Sequence, residues 1–65
     1  MRISLNGQPL ETSAENLADL LDEQGYGSAR VATALNGALA PASCRKEMVI
    51  SQGDDIEIVA PMQGG

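Results

Sequence analysis

The chain has 65 residues, with four basic against nine acidic side chains for a formal net charge of −5, one cysteine and no histidine. At this length it makes one small domain that buries only about 60% of the surface its unfolded chain exposes, and a lone cysteine without histidine excludes a disulfide framework and the usual zinc sites. The acidic balance argues against nucleic acid or anionic membrane as partner; with no secretory signal visible and no apolar run near the roughly 20 residues that cross a bilayer, a soluble protein of the reducing cytoplasm is expected.

Residues Arg2 to Asn6 alternate polar and apolar with period two, the pattern of a half-buried strand. Asn6-Gly7 follows as a hairpin signal, because a two-residue type I′ turn needs positive φ at both positions. The return strand runs through Leu10 to about Thr12, and Pro9, which has no N–H to give a ladder, places it at a sheet edge. Asn16, with Asp19 three residues on, reads as an N-cap with an acidic first turn. Thr12 with Glu15 is a rival capping box that would start the helix one turn earlier. Leu17, Leu20 and Leu21 then recur at helical spacing with Asp19, Asp22 and Glu23 opposite, which predicts an amphipathic helix of about two turns ending at Gly25 as C′. Its acidic face reads as solvated, with docking to a basic groove as the functional alternative.

Val31 to Asn36 predicts a third strand, with Val31 and Leu35 on one face and Ala32 and Ala34 on the other, and Asn36-Gly37 repeats the hairpin signal. After Leu39 the pattern breaks at Pro41 and Ser43, and Met48-Val49-Ile50 reads as a short fourth strand. Gln52 to Asp55 reads as a turn. Its neighbouring acids, Asp54 and Asp55, could suit metal or acid–base chemistry, but paired acids in a turn are ordinarily solvated. Cys44 has no histidine to activate it and only Arg45 and Lys46 beside it, so it reads as packed or incidental. In the last strand Ile56, Ile58 and Ala60 point one way, toward a core, while Glu57 and Val59 point the other. Val59, Met62 and Ala60 are the candidate partner-binding residues; Val59 and Met62 would form an apolar docking patch if they cluster with Ala32 and Ala34.

The order strand, strand, helix, strand, strand, strand predicts an α+β domain over residues 1–60: a mixed sheet of four to five strands with one main helix packed on one face. A β-grasp (ubiquitin-like) arrangement fits, with the first and last strands parallel and adjacent in the middle. Residues 61–65 then form a flexible tail ending in Gly64-Gly65. At an average glycine usage of about 7%, two glycines arise at a given chain end by chance in roughly 0.5% of sequences. Without side chains such an end can be threaded extended through a narrow channel, which makes the Gly65 α-carboxylate the candidate reactive group and Gly64 the residue that lets it pass. A carboxylate needs activation, most simply as an acyl adenylate, and no phosphate-binding loop is present in this sequence. A partner enzyme using ATP and magnesium would supply that step, and no cofactor is expected on this chain.

In its opening Leu5-Asn6-Gly7, the helix Leu17-Ala18-Asp19-Leu20-Leu21, Ala34-Leu35-Asn36-Gly37 before Pro41, Gly53-Asp54 before Ile56-Glu57-Ile58-Val59, and the terminal Gly64-Gly65, the sequence resembles the ThiS family of sulfur carriers of thiamine biosynthesis. The resemblance covers the whole chain. It implies a carried substrate rather than an enzyme. In such carriers a ubiquitin-activating-type adenylyltransferase activates the carboxylate matching Gly65, sulfur from a cysteine desulfurase makes it a thiocarboxylate, and thiazole synthase takes the sulfur. A carrier for molybdopterin or another pathway, a ubiquitin-like protein modifier and a plain interaction module are the alternatives. A ferredoxin-type relative is excluded by the single cysteine, and a free-standing enzyme is disfavoured by the lack of a nucleophile and base pair.

Overall fold

A computed structural model of the chain describes residues 1–27 and 30–60. Strands β1 (Arg2–Leu5) and β2 (Gln8–Glu11) are followed by helix α1 (Leu17–Glu23), strands β3 (Ala32–Leu35) and β4 (Ala38–Leu39), a 3₁₀ helix (Ala42–Glu47) and strand β5 (Asp55–Val59). The five strands lie in the order β2-β1-β5-β3-β4. β1 and β5 run parallel side by side, and each is flanked by an antiparallel neighbour. This is the β-grasp topology, and Pro9 sits on the edge strand where its missing N–H costs no rung.

Both Asn-Gly pairs make the expected turns. Asn6 and Asn36 each have φ 51°, and Gly7 and Gly37 have φ 81° and 84°, so each two-residue loop matches the twist of the strands it joins. The helix begins where Asn16 caps it: its Oδ1 accepts the Asp19 N–H at 2.8 Å. The rival box at Thr12 does not form: the Thr12 hydroxyl accepts the Ala14 N–H at 3.0 Å, rather than that of Glu15, and donates to Glu23. Gly25, at φ 87°, ends the helix as C′. Leu17, Leu20 and Leu21 bury their side chains against Ile3, Ile56 and Ile58 of the sheet, with Ala14, Ala40 and Ile50 completing the core.

The expected fourth strand at Met48-Val49-Ile50 is corrected. The strand that follows β3 is Ala38–Leu39, formed by the hairpin at Asn36-Gly37, and it takes the sheet edge that Met48–Ile50 would have needed. The later segment instead runs past the start of the helix. There the Leu17 N–H donates to Met48 O at 3.0 Å and the Ile50 N–H to Glu15 O at 3.0 Å, with a single bridge between Asn16 and Val49. An otherwise unpartnered N–H of the first helical turn is satisfied this way. Ile50 still enters the core, but as a loop residue.

Thr33 breaks the apolar run of β3 and is buried. Its hydroxyl donates to Ala40 O at 2.8 Å and accepts from Arg45 Nε at 3.2 Å, while Arg45 Nη2 donates to Val31 O at 2.7 Å. The 3₁₀ helix is thereby fastened to β3.

Candidate functional site

Strand β5 divides its side chains as alternation requires. Ile56 and Ile58 are 0% and 5% exposed against the helix, whereas Val59 is 63% exposed on the opposite, open face of the sheet. Cross-strand register decides what surrounds it. Val59 is paired with Ala32, Glu57 with Ala34, and Ala34 with Leu39 on its other side. Since directly paired residues share a face, Val59, Ala32, Ala34 and Leu39 form one apolar strip across β5, β3 and β4. Two alanines give it a low floor between two larger side chains.

Leu39 is the residue that sequence reasoning missed, and at 75% exposure it is the most exposed large apolar side chain among the described residues. A signal for it existed. A two-residue loop at Asn36-Gly37 fixes the register, so Leu35 must oppose Ala38 and Ala34 must oppose Leu39.

The other half of the open face is different in kind. There Arg2 pairs with Glu11 and Ser4 with Pro9, and Arg2 Nε lies 3.4 Å from Glu11 Oε1, with the amino terminus 3.8 Å from Glu11 Oε2. Asp55 and Glu57 stand between the polar and apolar halves on β5. The acidic helix residues Asp19, Asp22 and Glu23 are exposed on the far side of the molecule, with the sheet between them and Val59. Glu23 is also engaged by the Thr12 and Ser13 hydroxyls. The helix acids and the apolar strip therefore belong to separate surfaces.

The remaining candidates fall where their partners place them. Asp54 serves the turn: its Oδ2 accepts the Ser51 N–H at 2.8 Å and its Oδ1 accepts from Asn36 Nδ2 at 3.1 Å. Asp55 begins β5, its N–H donating to Asn36 Oδ1. Among the described residues no three potential metal ligands come together. Cys44 is exposed on the 3₁₀ helix and not packed, so of the two bland expectations only the incidental one stands. Ala60 follows β5 directly and is exposed rather than buried with Ile56 and Ile58. Met62, Gly64 and Gly65 lie outside the described residues, so the apolar strip is built without Met62.

Comparison with known proteins gives three results. The model of the ThiS family matches residues 3–65. Among solved structures, the crystal structure of a thiamine biosynthesis protein (ThiS) from Geobacter metallireducens is 29% identical over 100% of both chains, with a TM-score of 0.84. The solution structure of a thiamine biosynthesis protein from the same organism is 25% identical over 100% of this chain and 88% of that one, with a TM-score of 0.81. Among curated proteins no significant sequence match is found.

Proposed function

The chain belongs to the ThiS family, and on that footing we propose that it is a sulfur carrier protein, a substrate handed between enzymes rather than a catalyst. Its reactive group is the α-carboxylate of Gly65. A carboxylate oxygen attacks the α-phosphorus of ATP, with magnesium, in the site of a ubiquitin-activating-type adenylyltransferase, and pyrophosphate leaves. The outer sulfur of a persulfide made by a cysteine desulfurase then attacks the acyl carbon, AMP leaves, and a thiol reductant cleaves the S–S bond of the acyl disulfide so that the chain end becomes a thiocarboxylate. Thiazole synthase accepts that sulfur in thiamine biosynthesis, and the exchange takes place in the cytoplasm.

The observation that carries this reading is the extent of the family match, which runs through residue 65 and so includes Gly64-Gly65. The open sheet face supports it, because the apolar strip of Val59, Ala32, Ala34 and Leu39 reaches, through Val59, the strand that leads to the tail. We assign the strip, together with Ala60 and Met62, to docking of the adenylyltransferase. Gly64 passes through the channel because it has no side chain to obstruct it.

Intact mass of the protein purified from its native host tests this. A species heavier by the difference between sulfur and oxygen, absent when Gly65 is deleted, is the expected result. Deletion shortens an extended tail by about 3.3–3.6 Å, enough to withdraw the carboxylate from the reacting position. A ladder of lysine-linked conjugates in place of the sulfur-bearing species would make the chain a protein modifier; neither product would leave an interaction module.

A further inference from the structure

We propose that Asn6 is a positioning residue for the reaction at Gly65: its carboxamide holds the last rung of β5 and so fixes the point from which the tail departs. The inference rests on the sulfur-carrier reading. In the parallel pair, the Ser4 N–H donates to Asp54 O and the Asn6 N–H to Ile56 O, both at 2.9 Å. Alternation turns the N–H and C=O of Ile58 to that same side, yet β1 has already ended at Leu5 and the chain turns away at Asn6, φ 51°. The Asn6 side chain fills the gap. The Ile58 N–H donates to Asn6 Oδ1 at 2.8 Å, and Asn6 Nδ2 donates to Ile58 O at 3.1 Å. A carboxamide carries the donor and acceptor of a peptide group, so it extends the ladder by one rung beyond the end of the strand. On the other flank the pairing with β3 closes at Ala32 and Val59. Beyond that point comes exposed Ala60.

Asn36 is its counterpart at the other end of β5. It has the same φ, precedes a glycine in the same way, and its Oδ1 accepts the Asp55 N–H at 2.8 Å while its own N–H donates to Asp55 O at 2.7 Å. The two Asn-Gly turns thus clasp one strand, one at its entry and one beside its exit. Only the exit clasp bears on the tail. Without it the Ile58 peptide groups lose their partners on the β1 side, the end of β5 frays, and each freed residue adds about 3.3–3.6 Å of slack to the tail. The terminal carboxylate then samples a wider volume and meets its reacting partner less often, whereas docking through the open face is retained.

Glycine at either position keeps the positive φ and removes the clasp, and at Asn36 it also removes the hydrogen bond to Asp54 Oδ1, so Asn36→Gly is the more disruptive control for Asn6→Gly. ATP–pyrophosphate exchange by the host adenylyltransferase, with the carrier as varied substrate, and amide hydrogen exchange of the free carrier are measured for both. Asn6→Gly is expected to speed exchange at the Ile58 amide and lower kcat by roughly ten- to a hundredfold with KM little changed, the size of loss that misplacement of a reacting group produces. Asn36→Gly is expected to speed exchange at Asp55 and leave kcat at the wild-type value. Should Asn6→Gly fail to fold, Asn6→Asp retains turn preference and the acceptor for the Ile58 N–H but sets a carboxylate oxygen against Ile58 O, and the same kcat-selective loss is expected. A wild-type kcat in the Asn6 variants, or an equal fall in the Asn36 variant, overturns the positioning role. An inert wild type instead overturns the carrier reading and this inference with it, a result distinct from a difference between variants.

Discussion

The two faces of β5 share one backbone but differ in composition: Ile56 and Ile58 form the face at the centre of the core, and Asp55, Glu57 and Val59 form the face open to solvent. Ile56 and Ile58 are covered by the helix, while Val59, with a side chain only one methylene smaller, is exposed beside Ala32. Side-chain chemistry keeps the two acids outside but does not explain the contrast between Ile58 and Val59. Among the described residues the helix covers one face only, and no element covers the other.

The largest expected effect comes from breaking the covered face. Ile58→Asp places an unpaired carboxylate in a core whose domain holds only about 3–10 kcal/mol in total, and burying such a charge costs several kcal/mol. Loss of the cooperative thermal transition, followed by circular dichroism, is the expected outcome; a transition near that of wild type would mean that Ile58 does not belong to the core.

A charge on the bare face has a different expected result. Val59→Arg should leave stability within about 0.5 kcal/mol but raise the KM of the carrier for adenylation by roughly tenfold, as truncation or obstruction of an anchoring contact does. Unchanged kinetics over a full concentration series would remove the strip from the docking surface.

A smaller effect separates stability from docking. Asn16→Ala deletes the hydrogen bond to the Asp19 N–H and should cost about 1 kcal/mol, which lowers Tm by about 4–8 °C in a domain of this size. Adenylation measured well below that Tm should not change. A parallel loss of activity would show that the helix side also contacts the partner.

The smallest expected effect is electrostatic. If a basic partner approaches the open face, association slows a few-fold as salt rises to physiological levels, where the screening length is about 8 Å. Glu57→Gln should flatten that dependence, while Asp22→Asn, across the sheet, should not. Equal effects from both would mean that net charge, rather than the position of Glu57, steers the encounter.

Local chemistry in the sequence was enough to place the first hairpin, the Asn16 cap, the three-leucine stripe and the alternation of β5, because turn dihedrals, cap hydrogen bonds and side-chain period depend on residues close in the chain. It also marked Gly64-Gly65 and Val59 as the residues to watch. Met48-Val49-Ile50 was misread because an apolar run of three suits a strand or a buried loop equally, and only the prior occupation of the sheet edge by Ala38–Leu39 decides between them. Leu39 was overlooked because the register set by Asn36-Gly37 places it opposite Ala34 but brings it into one strip with Val59 only through the pairing of β3 with β5.

The sequence by itself determined the two Asn-Gly turns, the buried faces of the helix and of Ile56 and Ile58 in β5, and the family. The tertiary structure alone decided that Leu39 joins Val59 across two strand pairings, that the helix acids lie on the side away from them, and that the Asn6 and Asn36 side chains reach β5. Those contacts link residues up to 52 positions apart in the case of Asn6 and Ile58. Cross-strand register sets them, and register is settled only when all five strands share one buried face.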